Sequence, residues 1–402
     1  MHILYIHQYF KTPDEPGGTR SYWISKELIK RGHQVTVICS TNKQNIEPSA
    51  KYIDGIRVIY VKNEYSNYMP SLKRIYSFFK FVYLSFREAK KLSDVDIVFA
   101  TSTPLTVGYV ALILKRIKGW PYVFEVRDLW PEFPIQIGAI KNKYIIKYLR
   151  RLEKRIYISA EHIVALSPGM KDGVLAVGIE TNKCTVIPNM SKPEEFFPRE
   201  KSNEIINQFM INCEKFNVVH FGSMGKANGL RYIIETANCL KKRGVDDIDF
   251  IFLGDGGTKP MLKKLVADYQ LSNVKFLGNH KMSILSEIVN CCDISVTCFL
   301  NLPILYTNSP NKLFDSLSAG KPIIVNSLGW TKDLVEKGKC GFFVDPDNPD
   351  DFANKLIKYK DDKTLMNEWG ANSRRLSIEV FDKSILSAKV ADVIEMSYNK
   401  LI

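Results

Sequence analysis

The sequence predicts an α/β protein made of two doubly wound domains, each built on a parallel sheet. Its length of 402 residues suits two large domains better than one core. Short runs of β-branched and aromatic residues alternate with helical patterns from end to end. The alternation stops at residues 188–202, which hold three prolines, and then restarts with a new strand. We therefore expect one domain in residues 1–190 and a second in residues 191–382.

Each predicted strand is a short and continuously apolar run. The strands of the first domain are His2–Ile6, Val35–Cys39, Ile56–Val61, Asp96–Ala100, Tyr122–Val126, His162–Ala165 and Thr185–Ile187. Those of the second domain are Asn217–His220, Phe250–Leu253, Asn273–Leu277, Ile294–Cys298, Ile323–Val325 and Phe342–Val344. Such strands, separated by helices, are typical of parallel sheets covered on both faces. The last helical stretch, residues 383–402, we expect to pack back on the first domain.

The composition excludes several classes of protein. The chain is 45% hydrophobic and 25% charged, which is ordinary for a globular protein. No apolar run reaches the roughly 20 residues of a membrane span, and the first residues do not resemble a signal peptide. Eight cysteines occur without a C-x-x-C pair, which argues against a zinc ribbon or a disulfide framework. We expect a cytoplasmic protein.

The positive charge of the chain lies almost entirely in its first half. Of a formal net charge of +13, residues 1–190 carry +12, and residues 71–155 alone carry +10. Two stretches, 71–91 and 141–155, place basic residues on one helical face and apolar residues on another. Basic amphipathic helices suit an acidic membrane surface. The alternative is that both helices pack on a sheet with their charged faces in solvent.

Open parallel sheets bind ligands beyond the carboxyl ends of their strands, so the residues of interest follow the predicted strands. Gly17 and Gly18 come just before a helix predicted for residues 21–29. Their missing side chains let the backbone approach a ligand. The start of that helix favours a phosphate, and Arg20 adds a positive charge. An ordinary turn before a helix is the alternative.

A second glycine-rich turn, residues 221–229, directly follows a predicted strand and opens a helix. Its glycine spacing matches neither the dinucleotide fingerprint nor the P-loop. The position still favours an anion, with Lys226 as a phosphate partner. A similar turn at residues 253–257 follows the next strand. Two such turns in one sheet favour a nucleotide site.

Residues 308–322 form the most specific segment of the chain. Ser309 and Pro310 predict a helix cap followed by proline at the first helical position. Lys312 and Asp315 share one helical face. Lys312 lies near the helix start, where a phosphate is favoured, and Asp315 can accept hydrogen bonds from two ribose hydroxyls. The alternative is a surface ion pair on a capped helix.

The segment 127–132 follows the fifth predicted strand, so Arg127 and Asp128 are expected to point into a cleft between the domains. Trp130 can stack on a sugar there. Asp128 is a candidate base or charge stabiliser, and a structural role as a cap of the next turn is the alternative. The histidines show no ligand spacing, and the D-x-D pattern at residues 94–96 precedes a strand, so no metal site is expected.

Taken together, these segments resemble the family 4 retaining glycosyltransferases of the GT-B fold, in which two Rossmann-like domains face a central cleft. The resemblance covers essentially the whole chain. Its ordered motifs are the Gly-Gly loop, VIPN at 186–189, FGSMGKANGL at 221–230, FLGDG at 252–256, VKFLGN at 274–279 and SPNKLFDSLSAGKPI at 309–323. With RDLWPE at 127–132, the pattern is most similar to bacterial N-acetyl-L-fucosamine transferases of O-antigen or capsule assembly.

The resemblance implies roles for individual residues. Gly17 and Gly18 would approach the donor phosphate or the acceptor, and Arg20 and Trp130 belong to the same acceptor side. Asn279 and His280 would line the nucleobase pocket. The set expected to bind the donor is completed by Gly222, Ser223, Ser309, Asn311 and Asp315, of which Asp315 would hold the ribose.

This chain departs from the family pattern at the positions that contact the donor sugar and the diphosphate. Thr307 stands where the family has the first glutamate of its E-x7-E motif, so Ser309, Asn311 and Lys312 are expected to share that task. Ser223 and Asn228 stand at the usual arginine and lysine positions. The catalytic groups expected in their place are Lys226 and Lys312, together with Arg127 and Asp128.

The activity implied by the resemblance is a retaining transfer, without a metal or other cofactor, from a UDP-sugar to a lipid-linked saccharide at the cytoplasmic face of the membrane. A lipid diphosphate acceptor would explain why only the first domain is basic. One alternative is a UDP-sugar epimerase of the same fold, which has no need of a basic membrane-facing half. The other is a basic nucleic-acid-binding scaffold, which has no use for a ribose carboxylate at Asp315.

Overall fold

The computed structural model describes residues 1–15, 17–42, 50–65 and 69–401. Pro16, which belongs to the predicted glycine loop, lies outside these residues. The protein folds into two α/β units, one on each of two sheets. Among the described residues, no helix is long and apolar enough to cross a membrane.

The first sheet has eight strands in the order β3-β4-β2-β1-β5-β6-β7-β8. Their bounds are β1 His2–Ile6, β2 Gln34–Thr41, β3 Ala50–Ile53, β4 Ile56–Lys62, β5 Ile97–Thr101, β6 Tyr122–Val126, β7 His162–Ala165 and β8 Cys184–Val186. The helices between them are α1 Arg20–Lys30, α2 Ser71–Lys90, α3 Thr106–Lys118, α4 Glu132–Gln136, α5 Lys143–Ser159 and α6 Pro168–Ala176. Only the β3–β4 pair is antiparallel among the described strands of this sheet.

The second sheet has six strands in the order β11-β10-β9-β12-β13-β14, and its described pairs are parallel. The strands are β9 Phe216–Phe221, β10 Ile248–Leu253, β11 Val274–Gly278, β12 Ile294–Thr297, β13 Ile323–Val325 and β14 Gly341–Phe343. The helices are α7 Asn203–Phe209, α8 Arg231–Lys242, α9 Lys259–Asp268, α10 Met282–Cys291, α11 Asn311–Ser318, α12 Trp330–Lys337, α13 Pro349–Tyr359, α14 Lys363–Glu379 and α15 Lys383–Asn399.

The predicted fold class is confirmed. Every predicted strand overlaps an observed one, because predominantly apolar runs such as β1 and β10 are buried along their whole length between helical layers. One observed strand was not predicted, namely β3, a short edge strand whose sequence contains no apolar run. Three of its four residues are exposed, so the pattern that identifies a buried strand is missing there.

The chain crosses between the two units twice, side by side. Residues 187–191 leave the first sheet, and the backbone N–H of Ser191 donates to the carbonyl of Phe381 at 2.7 Å. The returning segment leads into α15, which packs against α1. There the Arg31 guanidinium pairs with Asp392 at 2.7 Å and with Glu395 at 3.0 Å. The last helix is thus part of the layer that covers the first sheet.

Both basic segments of the first unit are helices with apolar side chains left in solvent. On α2, Leu72 is 80% exposed and Phe79 is 62% exposed. On α5, Tyr144 is 72% exposed and Tyr148 is 61% exposed. Only the outer faces of the two helices carry these side chains, since Phe81 and Ile156 on their inner faces are fully buried.

Candidate functional site

Two cavities lie where the carboxyl ends of the two sheets face each other. Cavity A, about 290 Å³, is lined by residues that follow β1, β5 and β6 and by the residues that precede α11. Cavity B, about 280 Å³, is lined by the turns after β9, β10 and β11 and by Gly17 from the first unit. Ligands of open α/β sheets bind at this edge, so both cavities occupy the position where a site is expected.

The turns of cavity B pack backbone against backbone. Gly222 and Gly254 both adopt a positive φ, of 113° and 121°. A side chain at Gly254 would place its Cβ only 1.9 Å from the carbonyl oxygen of Gly222. Glycine is therefore required at the second turn, and the two turns form one edge of cavity B.

The remaining residues predicted for cavity B lie there as well. Ser223, Asn279 and His280 all line the cavity. The His280 ring is held in place, because its Nε2 lies 2.7 Å from the carbonyl oxygen of Leu277 and its ring meets Phe209 edge to face at 4.9 Å. This arrangement leaves one flat ring at the wall of the cavity.

Lys312, in the first turn of α11, extends beneath the Gly222 turn. Its side-chain carbon Cε would lie 3.6 Å from a Cβ at Gly222. Its ammonium donates a hydrogen bond of 2.7 Å to the amide oxygen of Asn228 and lies 5.7 Å from the Phe299 ring. Burial lowers the pKa of Lys312 to about 8, and the thiol of Cys298 offsets this only in part. The cation has an amide, not a carboxylate, as its hydrogen-bond acceptor.

Cavity A brings together one carboxyl group and two basic side chains. Asp128 accepts a hydrogen bond of 2.8 Å from the Thr103 hydroxyl, and burial raises the pKa of its carboxyl although Thr103 and Arg127 oppose the rise. The Arg127 guanidinium lies 3.5 Å from Nε2 of His7. Burial, reinforced by Arg127, holds the pKa of His7 well below its usual value, so this imidazole is neutral near pH 7.

The glycine loop and the start of α11 touch across the cleft. A Cβ at Gly18 would lie 2.8 Å from the amide nitrogen of Asn311 and 3.6 Å from the Arg127 guanidinium. Gly18 thus permits a close approach between the two units at the wall of cavity A. Lys226 makes a second contact between them, because its ammonium lies 3.4 Å from the carbonyl oxygen of Ile137 and points toward the first unit.

Two family models match the chain, one on each half. Residues 17–194 match the model described as Glycosyltransferase Family 4, and residues 201–376 match the model described as Glycosyl transferases group 1. The chain is a GT-B glycosyltransferase. Within the fold, the first matched segment contains β2 to β8, and the second contains β9 to β14, whereas β1 and α15 lie outside both matches.

Known relatives of this glycosyltransferase are distant in sequence. UDP-Gal:alpha-D-GlcNAc-diphosphoundecaprenol alpha-1,3-galactosyltransferase of Escherichia coli is 26% identical over 361 residues, which is 88% of each chain. The probable glycosyltransferase WbjE of Pseudomonas aeruginosa is 23% identical over 257 residues, so the match spans 63% of each chain. HepE of Anabaena, solved in complex with UDP and glucose, superimposes with a TM-score of 0.71 at 19% identity over 98% of this chain and 99% of that chain.

One residue of the glycosyltransferase lies elsewhere than predicted. Arg20, expected to bind the acceptor, is 2% exposed and belongs to the core. Its guanidinium pairs with the buried carboxylate of Glu125 at 2.8 Å and donates to the backbone carbonyls of Ile187 and Pro188. These contacts engage all three nitrogens of a buried guanidinium, so the structure contradicts the predicted acceptor role of Arg20. The residue instead ties α1 to β6 and to the crossing segment.

The predicted cap at the start of α11 is also wrong. The helix of this glycosyltransferase begins at Asn311, and no side chain caps it. The Ser309 hydroxyl instead accepts a hydrogen bond of 3.1 Å from the backbone N–H of Asn189, and the Asn189 amide donates to the Ser309 carbonyl. Ser309 therefore joins the crossing segment to the loop before α11, at the wall of cavity A.

Asp315 lies one turn deeper on α11, away from the residues that line the two cavities. It is 7% exposed, and its Oδ1 pairs with the Lys192 ammonium at 3.1 Å. Burial raises the pKa of Asp315, and Lys192 opposes the rise. The surface ion pair predicted as the alternative, between Lys312 and Asp315, is not the one that the structure shows, because Asp315 forms a buried ion pair with Lys192.

Trp130, predicted to bind the acceptor, is not among the residues that line cavity A. Its ring meets Phe78 of α2 edge to face at 6.1 Å, and its buried indole N–H has no hydrogen-bond partner within the described part of the chain. Cavity A is also lined by residues that were not predicted from the sequence, among them His7, Tyr9 and Asn189. The position of His7 and Tyr9 just after β1 was the available signal.

Proposed function

We propose that this protein is a retaining glycosyltransferase that moves a sugar from a UDP-sugar to a lipid-linked saccharide. The observation that carries the proposal is the position of Lys312, a buried ammonium without a carboxylate partner in contact, directly beneath the glycine turns of cavity B. A cation in such a place costs stability until an anion arrives. The diphosphate of a nucleotide sugar is such an anion.

The donor is placed in the second domain, residues 191–382, with its base against Asn279 and His280 in cavity B. The solved complex of HepE with UDP and glucose supports a UDP-sugar, as does the UDP-Gal in the name of the Escherichia coli relative. We assign N-acetyl-L-fucosamine or a related amino sugar as the sugar transferred. We also propose that Asp315 holds the ribose, which requires the donor to extend from cavity B to the carboxylate oxygen that is not paired with Lys192.

Departure of the diphosphate concentrates negative charge near Lys312 and the N-terminus of α11. A helix N-terminus and a desolvated ammonium both stabilise such a charge, so the step needs no metal ion. Lys226 adds a third positive group from the rim of the cleft. Full activity after exhaustive treatment with EDTA supports this account, and activity that depends on added Mg²⁺ or Mn²⁺ contradicts it.

The acceptor hydroxyl enters through cavity A in the first domain, residues 1–190 with the helix 383–402. Asp128 is the group placed to take its proton, since burial brings the pKa of this carboxyl closer to neutrality. Arg127 lies beside it and balances the charge. Attack on the same face that the diphosphate leaves retains the anomeric configuration, and no second carboxylate of the glycosidase type is required. The anomeric coupling constant of the product shows whether the configuration of the transferred sugar is retained, as we expect, or inverted.

We also propose that the protein works at the cytoplasmic face of the membrane, in the synthesis of a surface polysaccharide such as O-antigen. The exposed apolar side chains of α2 and α5 and the basic excess of residues 71–155 support attachment to acidic lipid. The diphosphoundecaprenol in the name of the Escherichia coli relative supports a lipid-linked acceptor. Sedimentation with acidic vesicles at low salt, but not with neutral vesicles, is the expected result. Equal retention on both kinds of vesicle contradicts electrostatic attachment.

Calorimetric titration with UDP, and with GDP and ADP for comparison, tests the donor site. We expect UDP to bind the wild type more tightly than GDP or ADP, and Asp315→Ala to weaken UDP binding. Asp333→Ala is the matched control, because this exposed aspartate pairs with Lys337 on α12, away from the cleft. A preference for GDP, or wild-type affinity in Asp315→Ala, overturns the assignment of the donor.

A further inference from the structure

A groove outside the cleft runs along α5 in the first domain. It encloses about 880 Å³, within the range of about 300–1,000 Å³ that is usual for small-molecule sites. One wall is the face of α5 that carries Ile146, Glu153 and Lys154. The other wall is the end of α6, with Gly173, Ala176 and Val177, and Leu129 lies between the two helices. The lining of the groove is thus largely apolar.

The rim of the groove is strongly basic. Lys143, Lys147, Arg150, Arg151 and Lys154 line the groove from α5, where their spacing places most of them on one helical face. Among the described residues, one of these cations is paired with a carboxylate, since Arg150 lies 2.7 Å from Glu132. The other four cations have no carboxylate within 4.0 Å among the described residues. Such a rim is complementary to a ligand with more than one negative charge.

Two acidic residues, Glu132 and Glu153, line the groove, and together they do not cancel the charge of its five cations. Glu153 is 5% exposed, and burial raises its pKa to about 8, although Tyr157 and Arg150 oppose the rise. The carboxyl is therefore mostly protonated near pH 7. A neutral wall beneath a cationic rim suits an amphiphile, with an apolar chain against the wall and an anionic head at the rim.

The groove adjoins the reaction centre through a single loop. Asp128 lines cavity A, and the next residue, Leu129, lines the groove. Their Cα atoms are about 3.8 Å apart along the chain. A head group held at this end of the groove lies one loop away from the proposed base. An acceptor bound in this way would have to extend its sugar past this loop into cavity A while its head group stays in the groove.

We propose that this groove binds the lipid diphosphate of the acceptor, with its phosphates on the basic rim and the first part of its polyprenyl chain against the apolar wall. The inference rests on the proposed function, since it assumes a lipid-linked acceptor. The rest of the polyprenyl chain leaves the groove toward the membrane. It passes the first half of α5, where Tyr144, Ile145 and Tyr148 are exposed.

Titration of the full chain with farnesyl diphosphate, in the presence of saturating UDP, tests this assignment. UDP fills the donor site, so a second diphosphate that still binds occupies another place. We expect farnesyl diphosphate to bind at least tenfold more tightly than inorganic diphosphate or dihexanoyl phosphatidylglycerol. Ala176→Trp, which fills the groove from an exposed position, and Lys147→Glu, which reverses a rim charge, are each expected to weaken binding about tenfold or more.

Lys389→Glu is the matched charge reversal, on an exposed position of α15 that covers the opposite face of the first sheet. It should leave the affinity for farnesyl diphosphate unchanged, and all three variants should keep wild-type affinity for UDP, which shows that they fold. Three results would each overturn the assignment of the groove. They are displacement of farnesyl diphosphate by UDP, equal affinity for inorganic diphosphate or for the phospholipid, and wild-type affinity for farnesyl diphosphate in Ala176→Trp. If the wild-type protein does not bind UDP, the donor assignment is overturned instead. A separate UDP titration distinguishes that result from a failure of the groove assignment.

Discussion

Lys312 should make UDP binding depend on pH in a way that an ordinary surface lysine does not. Burial lowers the pKa of its ammonium from 10.5 to about 8, which corresponds to a cost of roughly 3 kcal/mol for the charged form. A phosphate charge at about 4 Å returns about 4 kcal/mol at an effective dielectric constant near 20. The bound diphosphate is therefore expected to keep Lys312 protonated well above pH 8.

The sign of the effect follows from the two protonation states. Free protein loses the Lys312 proton as the pH rises through about 8, and bound protein does not, so UDP binding takes up a proton above that pH. At about pH 9 only about one free molecule in ten carries the charge, and UDP affinity should fall about tenfold from its value near pH 7. The titratable groups next to Lys312 do not change protonation between pH 7 and pH 9. Burial holds the pKa of His220 well below its usual value and raises that of Cys298 to about 12.

Calorimetry in two buffers of different ionisation enthalpy measures the proton uptake directly. Near pH 9 we expect close to one proton per UDP bound, since the terminal phosphate of UDP, with a pKa of about 6, is already ionised there. Lys312→Arg should remove the pH dependence because it stays charged, and Lys312→Met should bind UDP about 10- to 100-fold more weakly at neutral pH. Binding without proton uptake, or wild-type affinity in Lys312→Met, refutes the reasoning.

Two further predictions concern single side chains. Asp128→Asn should lower the transfer rate by about 10²- to 10⁴-fold while UDP affinity stays at the wild-type value, and a fully active variant in a radiolabel transfer assay excludes the role of base. Arg20→Met leaves the buried Glu125 carboxylate unpaired and should destabilise the protein by about 3–5 kcal/mol in urea unfolding, whereas the double variant Arg20→Met/Glu125→Gln should recover part of that loss. A stable Arg20→Met variant with a raised KM for the acceptor would restore the acceptor role.

The fold could be predicted from the sequence because its signal is local. The run Ile323–Val325 is apolar throughout, and Tyr122–Val126 is apolar except for Glu125. The structure shows both as strands with those bounds. The turn at residue 254 could also be predicted, because its glycines directly follow a predicted strand. The structure explains the glycine, since its close approach to Gly222 needs a residue without a side chain. β3 escaped prediction because an exposed edge strand carries no apolar run, and its pairing with β4 depends on the neighbouring strand.

The site was harder to predict, because the same residue type takes opposite roles according to partners far away in the chain. Arg20 and Lys312 are both cations at the start of a helix that faces the cleft, and both were assigned to ligands. Arg20 meets the carboxylate of Glu125, 105 residues away, and that ion pair makes it part of the core. Lys312 donates to the amide of Asn228, 84 residues away, and forms no ion pair with a carboxylate among the described residues. A buried cation without a counter-charge is thus the feature that separates the ligand-binding lysine from the structural arginine, and only the tertiary contacts reveal it.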